Sequence, residues 1–500
     1  MTILPYKKYP VKKVSYLQLV TMALVIALFT FCTGNHRQAV EIKRVAKIFP
    51  EYYNATLPPN IAPLNFIIKE PGSKFRVEIS GENGEPVILE QHSPKIKIPV
   101  EKWHGLLDAN IGKSLNIVIY SLADGKWNRF SAIRHEVSEF PIDPVLVYRL
   151  VHATYLKWDK MGIYQRDLTG FEEKPIIENN STDNGCMNCH TFSKNNPAKM
   201  AMHFRIVNPG TVIWNNGKLT KVNTKTDETM SAGIYPAWHP DGKHIAFSTG
   251  KISPHLTTRI NKPVDVADKA SGLIIYNTEN STVITSPEIS TNRRESMPEW
   301  SADGTYLYFT SAPEAIKGDQ ESLLHSRYSL MRIAWDTIAN TLGKAEMVIN
   351  ADSIGKSISM PAASPDGKFM ICALSDFGYF TIFDQKSDLY LIDLKTNGIK
   401  KLELNSNTSE SHSSWSSNSR WLVFSSKRTD GVLTRPYISY IDSAGNAHTP
   451  FLLPQEDPEI YDLLQANYNR PDLVTGEVEL SPIEIRDLVA GEVEKAEGKK

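Results

Sequence analysis

Four segments in the second half of the chain repeat one another, and this repetition constrains the fold more than any other feature. Tyr235-Pro236-Ala237-Trp238-His239-Pro240-Asp241-Gly242-Lys243 is echoed by Met297-Pro298-Glu299-Trp300-Ser301-Ala302-Asp303-Gly304-Thr305 and by Met360-Pro361-Ala362-Ala363-Ser364-Pro365-Asp366-Gly367-Lys368. A worn fourth copy is His412-Ser413-Ser414-Trp415-Ser416-Ser417-Asn418-Ser419-Arg420. Each copy joins two apolar strands through an Asp-Gly type turn, and further strands follow, as at 330–335 and 387–394. Units of four strands recurring at roughly fifty to sixty residues predict a β-propeller, because no single unit can bury both of its faces alone. Residues 203–230, with Asn216-Gly217 as a hairpin turn, supply an earlier blade, so five or six blades are expected.

One pentapeptide lies outside this repeat pattern and is chemically specific: Cys186-Met187-Asn188-Cys189-His190. C-x-x-C-H is the attachment pattern of a c-type haem. Two thiols three positions apart can add to the two vinyl groups of one macrocycle, and the adjoining imidazole can take the iron axially. A redox dithiol would call for a βαβ setting, and a structural zinc site for a second ligand pair at short spacing; the sequence offers neither. The expected cofactor is therefore one covalent haem c on Cys186 and Cys189, with His190 as proximal iron ligand. For the sixth iron position the candidates within reach are His203, which we favour, and Met200 or Met202; on a strand the two methionines share one face and His203 takes the other. Trp158, Tyr164 and Phe192, together with Phe171, are candidates to wall the macrocycle, although each suits ordinary core as well.

The remaining cysteines and the N-terminus concern address. Lys7, Lys8, Lys12 and Lys13 precede an apolar run from Leu19 to Phe29, the layout of an export signal, and c-type haem attachment in bacteria takes place outside the cytoplasmic membrane. Cys32 follows the run and is a lipidation candidate; an uncleaved anchor and simple cleavage are the alternatives, since Phe31 is bulky for a lipoprotein site and the run is short for a span. Cys372, inside an apolar strand, is expected to be a small core residue. With 55 basic and 56 acidic residues the chain has no global field to draw nucleic acid.

Read in order, the chain divides into a signal or anchor segment (1–32), a β-sandwich of immunoglobulin-like pattern (45–138), a short, mainly helical or irregular haem-binding segment (140–202), a propeller (203–455) and a polar tail (456–500). The sandwich rests on alternating apolar positions such as Phe75, Val77, Ile79, Ile117 and Ile119, with Asn83-Gly84 and Asp124-Gly125 as turns. A short helix is expected from Val145 to Val151 and another from Pro482 to Leu488, with the tail as an edge wrap.

The x-P-x-W-S-P-D-G-K signature resembles the repeat of TolB-like periplasmic propellers over roughly residues 230–455, with Asn418 for Asp and Ala363 for Trp as departures. The joined pattern is also similar to haem-motif proteins of Bacteroidetes in which such a propeller follows C-x-x-C-H. That likeness rests on Ile163-Tyr164-Gln165-Arg166, Ile176-Ile177-Glu178-Asn179-Asn180 and Asn467-Tyr468-Asn469-Arg470-Pro471-Asp472, and His203 is favoured because Pro197, Lys199, Met200, His203 and Arg205 share it. The resemblance implies a fold and a cofactor and no substrate.

The expected role is that of a membrane-associated, periplasmic monohaem protein passing electrons to redox partners within an envelope complex. The alternatives are a propeller binding or scaffold module in which haem senses redox state or a ligand, and a peroxidase-like haem enzyme; no Ser/His/Asp signature marks a catalytic centre. Tyr235, Met297, Met360 and His412 occupy one repeat-equivalent position, so they are expected as a ring at one height of the propeller channel, where a partner or metal would bind; local packing ahead of proline is the plainer reading.

Overall fold

The computed structural model describes residues 39–152, 160–256, 262 and 264–499. The signal segment, Cys32 and Trp158 lie outside them. Among the described residues no helix is long and apolar enough to cross a membrane.

The chain is mainly β, and its larger part is a β-propeller of six four-stranded blades. Blades 2 to 6 each run from an innermost strand outward, beginning at Cys186–Phe192, Ile234–Trp238, Arg294–Trp300, Ser357–Ala363 and Glu410–Trp415. Blade 1 is composite. Val145–His152, Met161–Asp167 and Glu173–Glu178 form its outer three strands, and Ala466–Val474, from the far end of the chain, pairs antiparallel with Val145–His152 as its innermost strand. Successive innermost strands touch around the whole ring, so this strand closes the circle and leaves no edge between the first and last blades.

Two expectations need correction here. The segment from Val145 to Val151 is a strand: Val145, Val147 and Val151 are buried against the haem-motif blade, and Leu146 and Tyr148 are buried on the other side. Both faces are covered, so its near-continuous apolar run belongs to a buried strand and its helical spacing was coincidental. Among its described residues the segment 140–202 is accordingly not mainly helical: its regular elements are strands joined by short turns, apart from one 3₁₀ turn at Asn179–Ser181. The tail is also more than a wrap, since it supplies the closing strand before the helix Pro482–Ala490 and two short edge strands, Glu494–Lys495 and Glu497–Lys499, that pair outside blades 2 and 3.

The repeat motif performs two tasks. In the turn, Gly242, Gly304 and Gly367 have φ of 68°, 77° and 71°, the left-handed region that glycine enters without strain, and the Asp side chain accepts hydrogen bonds inside the turn, as Asp303 does from Ser301 (2.6 Å) and the Thr305 N–H (3.0 Å). Asn418 keeps this role through its carbonyl oxygen, and its amide adds a bond an aspartate could not donate, to the Pro141 carbonyl at 2.7 Å. The Trp stitches blades together: Trp300 donates to the Ala237 carbonyl and Trp415 to the Ala362 carbonyl, both at 3.1 Å.

Ahead of the ring, a seven-stranded sheet and a three-stranded sheet enclose a core with Phe75, Val77, Ile79, Ile117 and Ile119 inside, as their alternation requires. The helix Val100–Ala109, which the alternation did not announce, buries Trp103, Leu106 and Leu107 there. This core is continuous with that of blades 5 and 6, and Asp143 accepts from the Ser417 N–H (2.7 Å) and hydroxyl (2.6 Å) across the junction.

Truncation after Leu464 deletes the closing strand and is expected to abolish a single cooperative thermal transition. Truncation after Gly491 removes only edge pairing and should lower Tm by a few degrees at most. Similar Tm values for the two truncations would show that ring closure does not hold the propeller together.

Candidate functional site

Every innermost strand carries one extra residue relative to its neighbour, a β-bulge, at the same height. The register shifts fall at Cys189, Tyr235-Pro236, Met297-Pro298, Met360-Pro361, His412 and Arg470-Pro471. Tyr235, Met297, Met360, His412 and Arg470 all adopt positive φ, between 40° and 52°, a conformation that costs a non-glycine residue about 1–2 kcal/mol. The expected ring of Tyr235, Met297, Met360 and His412 therefore exists, and two more residues complete it: Arg470 in blade 1 and Cys189 in blade 2. In the motif strand His190 stands where four of the other strands have proline.

The haem motif is thus part of the wall of the propeller axis. Arg149 of blade 1 fastens this strand, donating to the Met187 carbonyl (3.0 Å) and the Asn188 side-chain oxygen (2.8 Å). Cys186 is 5 % exposed and Cys189 half-buried, and both thiols are free. His190 is fully buried, Nε2 lies 3.4 Å from Asp472 Oδ2, and neither ring nitrogen makes a well-formed hydrogen bond. Burial, then the charges of Arg470 and Arg149, push its pKa well below the usual histidine value against the opposing Val147 backbone, so the imidazole is neutral. Neutral imidazole is the form that ligates a metal. The donor types match a covalent haem in their chemistry, two free thiols and a neutral imidazole, but by register Cys186 pairs with Arg205 on the His203 side of the sheet and His190 with Met202 on the other, so the strand as folded does not offer all three to one planar group. Cys186 and His190 are buried in the folded ring, so any group on them would have to be added before this strand packs.

Other expected residues are placed as follows. Phe192 meets His190 edge-on, with ring centroids 6.2 Å apart. Tyr164 stacks on Tyr148 and donates to Glu178 at 2.6 Å, and Phe171 lies under Arg166. His203 pairs in register with Asn188, whereas Met202 pairs with His190 and Met200 with Phe192. Cross-strand partners share a face, so the methionines lie on the side of His190 and His203 lies on the other side of the same sheet. There His203 Nδ1 is 3.0 Å from Thr211 Oγ1, and burial, then Arg205, pushes its pKa down to about 4. One sheet cannot be threaded by a planar macrocycle, so the structure does not bring His203 opposite His190.

Beyond the ring the channel opens into a cavity of about 420 Å³ walled by the residues that follow each bulge. Its wall takes in all four ring residues expected, and Thr191 and Phe192 of the motif strand, but not Cys186, Cys189 or His190. Two carboxylic acids line it, Glu299 in blade 4 and Asp472 in blade 1, each two residues past the bulge and three blades apart in a ring of six. Burial raises Glu299 from 4.5 to about 7, with Asp472 adding to the rise and Arg470 opposing it; burial raises Asp472 to about 6, again against Arg470. His412 is pushed down to about 3 by burial, then by Arg470 and Arg149. Glu299, Arg470 and Asp472 escaped the sequence reading; the signal was there in Arg470-Pro471-Asp472, an x-Pro-x echo of the repeat with no turn after it.

His239, Asp241 and His244 also lie together with metal-ligating spacing. Here every ring nitrogen has a protein partner: His239 Nε2 the Gly304 carbonyl (2.9 Å), His239 Nδ1 the Asp241 N–H (3.0 Å), His244 Nδ1 Asp241 Oδ2 (2.7 Å), and His244 Nε2 Asn277 (3.1 Å). His239 takes the place of the turn serines Ser301, Ser364 and Ser416, so this group caps a turn.

No family model matches the chain, and no curated protein matches it. Solved structures overlap it in part, at low identity and low TM-score. A nidogen/laminin complex overlaps 67 % of this chain and 99 % of its own at 8 % identity (TM-score 0.39). The Myceliophteria thermophila Cps50 (Swd1) β-propeller domain overlaps 52 % and 66 % at 10 % identity (0.32), and the Dos1 propeller 47 % and 66 % at 13 % identity (0.28).

Two measurements test the site. A carboxyl whose folded pKa is raised contributes stability below its unfolded pKa and loses it as pH rises through the folded one, here from 4.5 to about 7. Glu299→Gln removes that titration, so its stability relative to wild type should increase between pH 5 and pH 8 by on the order of 1–3 kcal/mol in denaturant titrations, allowing for water in the cavity. No change in the difference would place Glu299 in solvent. In protein made without haem attachment, peptide mapping after maleimide treatment should find Cys189 labelled in the native state, and Cys186 and Cys372, 5 % and 0 % exposed, labelled only in denaturant. Equal native labelling of all three would contradict the packing of blades 2 and 5.

Proposed function

We propose that this chain is a c-type monohaem protein of the bacterial envelope that exchanges single electrons with partner proteins, its haem attached at the wall of a six-bladed propeller. The observation that carries the reading is His190. A fully buried imidazole whose nitrogens have only poor partners, Asp472 Oδ2 at 3.4 Å and the Val147 backbone, is incompletely satisfied unless something binds it, and it directly follows two free thiols at haem spacing. Cys186 and Cys189 would hold the group by thioether bonds and His190 would bind its iron; bound haem supplies one-electron exchange. Arg149 holds the motif strand in register, and Arg149 and Arg470 keep the imidazole unprotonated. Export and membrane attachment through the lysine-flanked apolar run and Cys32 belong to the same reading, because haem attachment requires the exported compartment.

The TolB-like resemblance and the axial cavity support a binding role for the propeller beside the redox role. The two are compatible, since the cavity wall excludes the three motif donors.

Mass spectrometry of protein matured in a host competent for haem attachment should show one haem increment on the peptide containing Cys186 and Cys189. A reduced-minus-oxidised spectrum unaffected by carbon monoxide then supports electron transfer, and ready carbon monoxide binding supports a sensor. Unmodified thiols or a disulfide from such a host would refute the haem assignment.

A further inference from the structure

The axial cavity presents hydrogen-bonding groups that the protein leaves unused. His412 Nε2 is buried at atom level and has no hydrogen-bond partner, and Asp472, bonded to the Ser414 side chain, has in its buried Oδ2 an oxygen with only the distant His190 Nε2 (3.4 Å) near it. Glu299 accepts one bond, from the Ala363 N–H at 3.1 Å. Arg470 reaches from blade 1 to the Pro236 carbonyl of blade 3, at 3.3 Å, and among the described residues it is not ion-paired with the two acids it lies near. A guanidinium has five N–H donors, so most of its capacity is open.

Ligand classes can be separated by what this set would do to each. An anion would be held by Arg470 but meet Asp472 and Glu299 from two opposite blades; a cation would meet the acids and be opposed by Arg470. An apolar ligand would bury all four groups unpaired, at about 1–3 kcal/mol each. The class that satisfies every group is a neutral molecule dense in hydroxyls, because each hydroxyl donates to a carboxylate or imidazole nitrogen and also accepts from the guanidinium. The volume, about 420 Å³, lies in the range of small-molecule sites, and the small side chains of Ala237 and Ala362, at the same height as the acids, leave the width for a ring-sized molecule. The left-handed backbone at five positions of the floor fits a site whose side-chain directions are fixed in advance.

We infer that the propeller cavity binds a saccharide, free or at the end of a glycan, through Glu299, Asp472, Arg470 and His412. Glu299 and Asp472 grip hydroxyls from opposite sides, Arg470 donates from the floor, and His412 accepts through Nε2. The site shares Asp472 with the surroundings of His190 but needs no haem, and would stand if the haem reading failed.

Calorimetric titration of the full chain with D-glucose, D-galactose, N-acetyl-D-glucosamine and maltohexaose tests this, with cyclohexanol, n-hexylamine and hexanoate as apolar, cationic and anionic controls. At least one saccharide should bind saturably at 1:1. Glu299→Gln, which keeps the acceptor for the Ala363 N–H, and His412→Ala should each weaken it tenfold or more, with unchanged circular dichroism and a single cooperative thermal transition showing that the variants fold. Tighter binding of maltohexaose than of glucose supports a glycan end, and the reverse a free sugar. Absence of binding across the saccharides, affinity unchanged in both variants, or saturation by hexylamine or hexanoate instead would each overturn the assignment.

Discussion

Closure of the ring by Ala466–Val474 is the constraint on which the rest depends. A propeller blade buries its faces only against its neighbours, so an open ring would expose one face of blade 6 and one of blade 1 together with a strand edge. The chain solves this by pairing its far end with Val145–His152, giving main-chain hydrogen bonds between segments more than three hundred residues apart. The same strand brings Arg470 into the ring and Asp472 against His190, so the element that closes the fold also completes both the haem-motif wall and the cavity.

The bulge is the second organising device. By inserting one residue in each innermost strand at one height, it turns six side chains, Cys189, Tyr235, Met297, Met360, His412 and Arg470, to a common level of the axis. Because blades differ at that position, six-fold backbone geometry yields a chemically asymmetric floor. The proline that follows in four strands has no N–H to offer the ladder, which suits a bulge, where a ladder bond is already lost.

Much of this was legible before any coordinates. The repeat gave the propeller because Asp-Gly turns and the stitching Trp are local signals, and the ring followed from repeat equivalence alone. Blade 1 was illegible because it is assembled from two ends of the chain: Val145–His152, buried on both faces, lacks the alternation that marks a half-buried strand, and Asn467–Asp472 lacks the turn that identifies its fellows. Glu299 stands inside a repeat, but its place in the cavity wall with Asp472 is a relation between blades that no local pattern carries. His203 was placed on the correct face relative to Met200 and Met202; what the strand pattern could not give was that His190 would share the methionines' side of the sheet.

Burial of the motif also orders events in the life of the chain. Cys186 and His190 are 5 % and 0 % exposed, on a strand flanked by blades 1 and 3, and blade 1 is complete only when residues 466–474 have arrived. In the closed ring Cys186 is covered from blade 1 as well as from its own blade, so it is open to a bulky reagent only before the ring closes. A covalent group added to this strand must be added in that interval, and it then becomes part of what the closing strand packs against. In the closed ring the His190 imidazole has only a 3.4 Å approach to Asp472 and the Val147 backbone for partners, so a ligand bound to it would favour closure rather than oppose it.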